Sequence, residues 1–250
     1  MREVRILPTS QDVALAAADL VTEQVRKVPA SVLGVATGST PLGLYAHLAR
    51  RARDGLSFAG CRAFLLDEYV GLPPEHPERY RNVVLRELAG PVGLPADAVH
   101  APDVDAVDLE AAAARYDAAI AASGGIDLQV LGLGADGHVA FNMPGTPPDA
   151  PTHVTTLSER TLQDNARFFG GDVGRVPRRA LTQGLATIAR ARLLVLMVTG
   201  EAKAPALEEL LRGPVGPHAP ATALRTHPGL VVLADEPAAS RVLVTASGTR

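Results

Sequence analysis

Short apolar runs rich in Val, Leu and Ile alternate along the chain with longer segments in which apolar residues recur at helical spacing. The runs VRIL (4–7), VLGVA (32–36), CRAFLLD (61–67), IDLQVLGLG (126–134), RLLVLMVTG (192–200) and LVVLAD (230–235) read as strands buried on both faces, as parallel strands are. Segments 11–28, 41–53, 76–89, 105–123, 158–169, 177–190 and 201–212 read as helices, several entered through Ser, Thr, Asp or Pro. Such alternation predicts an α/β fold built on one doubly wound, mostly parallel sheet. No internal repeat is visible. The Pro- and Gly-rich stretches 71–77, 143–151 and 213–220 are too short to be linkers and read as loops around a site, because ligands of open α/β sheets bind beyond the carboxyl ends of the strands.

Composition narrows the choice of function. With 250 residues, 47% of them hydrophobic, the chain can bury a full core, and its length fits one α/β domain as well as two smaller ones. Twenty-four basic residues stand against 27 acidic, a formal net charge of −3, with no basic block of the kind that tracks nucleic acid. Nucleic acid is therefore not an expected partner. The single Cys61 cannot form an internal disulfide, and the opening MREVRILPTSQD has no apolar leader core, so a cytoplasmic location is expected. No apolar run approaches the roughly 20 residues that span a bilayer, so no membrane partner is expected.

Four segments carry candidate chemistry. In VLGVATGSTPLGLYAHLARR a strand leads through Thr37, Gly38, Ser39 and Thr40 into a helix opened by Pro41; the turn is either an anion cradle of free N–H groups and hydroxyls, or an ordinary turn capped by Thr40. It lacks the Lys of a phosphate-binding P-loop and the spacing of a dinucleotide fingerprint, which disfavours ATP and NAD. FLLDEYVGLPPEHPERY ends a buried strand on Asp67 and Glu68; a desolvated carboxylate there suits proton transfer to and from carbon, while an isolated acid pair also serves to cap helices or brace loops. GLGADGHVAFNMPG sets Asp136 two residues before His138, a spacing that lets the acid fix the imidazole tautomer. No HxxxH pair or second Cys accompanies His138, so neither zinc nor another metal is expected. Arg167 and Lys203 are each a solvated charge if taken alone; together with the Ser39 turn they would neutralise a phosphate dianion.

The segments GVATGSTPLGLY, LLDEYVGLPPEHPERYRN, DLQVLGLGADGHVAFN, NARFFGGDVGRVPRRALTQGLATI and VTGEAKAPAL resemble, in order and spacing, the glucosamine-6-phosphate deaminase family over nearly the whole chain. The resemblance implies a single-domain (1–250), modified Rossmann-like fold with helices on both faces and no cofactor. It implies an isomerase-deaminase that opens an amino-sugar phosphate ring, converts aldose to ketose and releases ammonia. It gives Asp67 the proton transfer between C2 and C1, gives His138 ring opening with Asp136 beside it, and places Thr37, Gly38, Ser39, Thr40, Glu68, Arg167 and Lys203 around the substrate and its phosphate.

The resemblance breaks at Met143, where the family pattern FNEP has a glutamate that completes the ring-opening set. A thioether carries no charge and accepts hydrogen bonds weakly. Three outcomes stay open: deamination with the help of Asp136, an isomerisation or elimination on another phosphosugar, or phosphosugar binding without turnover. His153 stands where the allosterically regulated members carry an Arg, so such regulation is not expected. The 6-phosphogluconolactonases share the fold and the GxGxDGHxA turn, but LDEYVGLP and ARFF look like the deaminase branch and the lactonase-like SLFP is absent. Related enzymes occur as monomers and hexamers, which leaves a homo-oligomer open.

Overall fold

The computed structural model describes residues 3–244. The six predicted apolar runs all form strands: β1 (Glu3–Leu7), β2 (Val32–Val35), β3 (Arg62–Leu65), β6 (Leu128–Gly132), β9 (Leu193–Val198) and β10 (Leu230–Asp235). With the two-residue β5 (Val99–His100) they make a seven-stranded sheet in the order β1-β10-β9-β6-β2-β3-β5, every pair parallel. Successive side chains of a strand point to opposite faces. Because β2 and β10 are buried at every position, both faces of the sheet are covered.

The covering helices are α1 (Ser10–Lys27), α2 (Leu42–Arg53), α3 (Tyr80–Val84), α4 (Gly90–Val92), α5 (Leu109–Ala122), α6 (Glu159–Asn165), α7 (Leu185–Ile188), α8 (Ala204–Arg212) and α9 (Glu236–Val244). α1 shows why such segments are helical. Thr9 and Asp12 form a reciprocal capping box, Arg26 and Lys27 complement the last turn, and Val13, Ala17, Val21 and Val25 recur every four residues on the buried face. Segment 76–89 enters its helix later than its period suggests and runs through a π-turn at Leu85–Ala89 into α4.

One expectation is corrected. Segment 177–190 is not a helix: β8 (Arg179–Thr182) occupies its first half and pairs antiparallel with β4 (Asp67–Tyr69) on one side and β7 (His153–Thr156) on the other. Leu181 and Thr182 are buried between those neighbours. This pairing satisfies the backbone of three short segments at once, which a lone helix of this length would not. The small sheet stands beside the carboxyl ends of the main one and brings a second apolar cluster with it, including Tyr69, Leu72, Phe141, Leu162 and Phe169. Of the three predicted loops, 143–151 and 213–220 meet where the Gly145 N–H donates to the Pro217 carbonyl at 2.7 Å.

Candidate active site

From β2 the main sheet grows outward through β3 and β5, and from β6 through β9 and β10. The boundary between β2 and β6 is thus a topological switch point, the place where parallel sheets open a crevice for ligands. The four strands β9, β6, β2 and β3 lie side by side around it, and each is followed by a segment bearing a predicted site group.

After β2, Gly38 turns the chain at φ +85°, a left-handed conformation that favours glycine, and no atom stands near its would-be Cβ. α2 then begins at Leu42, with Pro41 just ahead of it and no side chain capping its first turn. Thr40 is therefore not the cap; the Leu42 N–H donates to the Ser39 carbonyl at 3.4 Å, and the Gly43 and Leu44 N–H groups, without an acceptor among the described residues, are open to an anion. Arg167, in the 3-10 turn that follows α6, donates from Nη2 to Ser39 Oγ at 3.3 Å, and its guanidinium lies 4.8 Å from the Phe168 ring centre. Lys203, half-buried after β9, is pushed down by burial, raised by Asp164 and Asp136, and lowered by Arg160 and Arg167. Ser39, Arg167 and Lys203, predicted from three distant segments, thus share one neighbourhood with Asp136.

After β6 the chain makes a tight turn closed by the Gly134 N–H to the His138 carbonyl at 2.8 Å. A Cβ on Gly134 would fall 2.3 Å from His138 Nδ1, so only glycine lets the imidazole lie against the chain there. His138 Nδ1 meets Asp136 Oδ1 at 2.5 Å, and the His138 N–H also donates to that oxygen at 3.2 Å. Burial raises the Asp136 carboxyl, but the hydrogen bond and charge of His138 outweigh it and hold the acid at about 2. With Asp136 ionised, the shared proton sits on Nδ1 and Nε2 is left for substrate. The Phe141 N–H donates to Thr182 Oγ1 at 3.1 Å, and the Asn142 side-chain amide donates to the Val139 and Gln183 carbonyls at 2.9 and 2.8 Å. Thr182 is the cross-strand partner of Asp67, so β8 joins the histidine turn to the acid.

Asp67 is only 7% exposed and its carboxyl has no hydrogen-bond partner among the described residues. Desolvation, followed by the charge of Glu68, pushes it well above the ordinary carboxylate range. Glu68 differs. Its carboxylate is fully buried and accepts from the Tyr69, Tyr80 and Arg81 N–H groups at 3.0, 2.8 and 2.8 Å, which fastens the start of α3. With its acceptors so used, it braces the start of α3, the loop-bracing role open to such an acid. Burial raises it, while the three N–H donors and Arg79 oppose that shift.

Met143 belongs to the second apolar cluster. Its side chain is buried in the second cluster beside Phe141, Leu162 and Phe169, and the one polar contact is Thr161 Oγ1 on its sulfur at 3.5 Å. His153 sits on β7, across from Thr182, with its Nδ1 at 2.8 Å from the Pro151 carbonyl. Sequence reasoning missed a hydroxyl chain. Tyr80 donates to Tyr69 Oη at 3.1 Å, and Tyr69 Oη accepts from Asn165 at 2.8 Å. It ties the start of α3 to the end of α6, just before the 3-10 turn that carries Arg167. No spacing in the sequence signals it. Among the described residues no group of three His, Cys, Asp or Glu is placed to hold a metal, and no helix is long and apolar enough to cross a membrane.

A mostly parallel α/β sheet that gathers a glycine turn, a buried acid and an acid-supported histidine at its switch point defines an open α/β protein with its candidate site beyond the strand ends. Residues 8–233 match the family glucosamine-6-phosphate isomerases/6-phosphogluconolactonase, and the chain belongs to that family. It is 53% identical over 241 residues to the glucosamine-6-phosphate deaminase of Beutenbergia cavernae and 49% identical to that of Mycolicibacterium smegmatis, each alignment covering 96% of this chain and 92% of the relative. Among solved structures it superposes on a monomeric glucosamine-6-phosphate deaminase with TM-score 0.92 and 37% identity, over 95% of this chain and 99% of that one. The 6-phosphogluconolactonase of Trypanosoma brucei shares the fold at TM-score 0.76 and 23% identity, over 97% and 99% of the two chains.

Proposed function

We propose that the protein converts glucosamine 6-phosphate to fructose 6-phosphate and ammonia. The observation that carries this reading is the meeting, at one end of the sheet, of the Ser39–Arg167 contact with the Asp136–His138 pair and the unpartnered Asp67. The open N–H groups at the start of α2, with Ser39, Arg167 and Lys203, hold the 6-phosphate. His138 Nε2 moves a proton between the ring oxygen and O1 as the pyranose opens, and ionised Asp136 stabilises the imidazolium that forms. Asp67, ionised, removes the proton from C2 and returns it at C1. Burial makes that carboxylate a stronger base than one in water. The C2 imine left after isomerisation takes up water and expels ammonia.

Met143 lies outside this set. Its burial among apolar side chains leaves the support of His138 to Asp136 alone, which fits a deaminase whose ring-opening step rests on two residues. Divergence toward another phosphosugar predicts a different product from the same assay. Glucosamine 6-phosphate incubated with the purified protein should yield stoichiometric ammonia and fructose 6-phosphate, and 6-phosphogluconolactone should be hydrolysed no faster than in buffer. The compartment is expected to be the cytoplasm.

A further inference from the structure

Just beyond His138 the chain reverses on itself. Val139 and Asn142 pair as an isolated antiparallel bridge, the Asn142 N–H donating to the Val139 carbonyl at 3.0 Å. Between them Ala140 stands at φ +51°, the one non-glycine residue with positive φ among the described residues. That conformation costs an L-residue free energy and persists only where its surroundings over-determine it. β8 supplies those surroundings. Thr182 Oγ1 receives the Phe141 N–H at 3.1 Å and donates to the Gln183 carbonyl at 3.3 Å, and the Asn142 side-chain amide donates to that same carbonyl at 2.8 Å. On its other side β8 grips the segment that carries Asp67 by means that need no hydroxyl. Asp67 pairs with Thr182 through the backbone, and the Gln183 N–H and side-chain amide donate to the Leu66 and Leu65 carbonyls at 2.7 and 2.9 Å. A buried hydroxyl is costly unless it is hydrogen-bonded, and valine fills the same space on a strand. Thr182 is wholly buried, so what its hydroxyl adds beyond a valine is the hold on the histidine turn.

We propose that Thr182 is a positioning residue, whose hydroxyl sets the place of the His138 turn against Asp67. On the deaminase reading, on which this role rests, both groups must reach one bound sugar, His138 at the ring oxygen and O1, and Asp67 at C2 and C1. They come from separate parts of the chain, His138 from the turn after β6 and Asp67 from the start of β4, and β8 hydrogen-bonds to both segments. Reacting groups that are slightly out of line lose much of their effect. In Thr182→Val the Phe141 N–H loses its acceptor and the left-handed Ala140 loses a restraint, so the His138 turn relaxes, while Asp67 keeps its backbone pairing. Ring opening then suffers, and phosphate binding on Ser39, Arg167 and Lys203 does not.

The test compares Thr182→Val, which keeps the volume and loses the hydroxyl, with Thr182→Ser, which keeps the hydroxyl and loses a buried methyl. Both variants should melt below the wild type, and only the valine one should lose turnover. Its kcat with glucosamine 6-phosphate should fall about 10- to 100-fold with KM changed less than about threefold, while the serine variant keeps kcat within about threefold of the wild type. In NMR spectra of the full chain labelled at histidine and backbone nitrogen, the His138 ring signals should move in the valine variant and stay in place in the serine one. Turnover lost in both variants in step with their melting temperatures overturns the proposal, since the hydroxyl would then be a fold contact only. So does a valine variant with wild-type kcat and unmoved His138 signals. A folded serine variant that loses more than about tenfold in kcat overturns it without reference to valine. If the wild type leaves glucosamine 6-phosphate unchanged, it is the deaminase reading that fails, and the His138 signals of the two variants still decide whether the hydroxyl fixes the turn.

Discussion

Asp136 and His138 stand two residues apart in the chain and share a 2.5 Å contact between Oδ1 and Nδ1, in a turn that closes only because position 134 has no side chain. The pair has a signature in acid. The carboxyl is held at about 2, below its ordinary value, so the stability it contributes is complete above about pH 4 and is lost as the pH falls through about 2. In Asp136→Asn this acid-dependent part, on the order of 1–2 kcal/mol, should vanish from urea midpoints measured between about pH 2 and pH 6. Turnover at neutral pH should fall by about 100-fold or more, because the amide no longer stabilises the imidazolium. An unchanged turnover in that variant contradicts the role of the pair.

Gly134→Ala tests the packing beneath the pair without touching either residue. The new Cβ must displace the His138 ring, so kcat should drop about 100-fold or more, the cost of a misplaced reacting group. Far-ultraviolet circular dichroism should stay native. Full activity in the alanine variant would mean that the ring is free to sit elsewhere.

Asp67 has the opposite titration. Its folded value is raised, so stability falls as the pH climbs above the unfolded value of about 4, and the full cost is present once the pH exceeds the folded value. Asp67→Asn should thus raise the melting temperature at pH 8, at about 2–4 °C per kcal/mol for a chain of this size, with little gain near pH 4. In the wild type, kcat/KM should rise with pH beyond the ordinary carboxylate range, reporting ionisation of the base. A flat profile there, or a less stable Asn variant at pH 8, would sink the assignment.

The main sheet was legible because strands buried on both faces leave unbroken apolar runs, and β9 and β10 are such runs. The small sheet was not, since β4, β7 and β8 are three or four residues each. In 177–190 the apolar residues Leu181, Leu185 and Ile188 keep helical spacing, yet Leu181 is buried by strand pairing and the other two by the single turn of α7. Periodicity over so short a window does not separate the two. Asp67, the Asp136–His138 pair, Ser39 and Lys203 were visible as candidate chemistry after strands, and Arg167 near a helix end. The bracing contacts of Glu68 were not legible because two of its partners lie 12 and 13 residues away in α3, and backbone donors leave no mark in the sequence.

The phosphate contacts should separate by charge and by geometry. Arg167→Gln removes a fork that already points at Ser39, and Lys203→Ala a half-buried point charge; each should raise KM about 10- to 100-fold, the worth of one charge-assisted contact. Inhibition by inorganic phosphate should weaken in parallel. A fall in kcat with KM unchanged would place these cations at the reacting atoms instead.

Met143 should behave as a core residue. Met143→Leu keeps volume and should cost less than about 1.5 kcal/mol, whereas Met143→Glu brings a carboxyl among Phe141, Leu162 and Phe169 and should cost several kcal/mol at neutral pH. Equilibrium denaturation of the two variants decides it. A stable glutamate variant with faster turnover would show that this position faces the ring-opening step after all.

The most direct measurement is a time course by NMR of the protein with glucosamine 6-phosphate in deuterated buffer, with Asp67→Asn alongside. Fructose 6-phosphate and ammonia should appear together, with deuterium at C1 of the ketose, and the Asn variant should bind substrate yet exchange no carbon-bound proton. Unchanged substrate without exchange in the wild type, or equal exchange in the variant, would contradict Asp67 as the base of a deaminase.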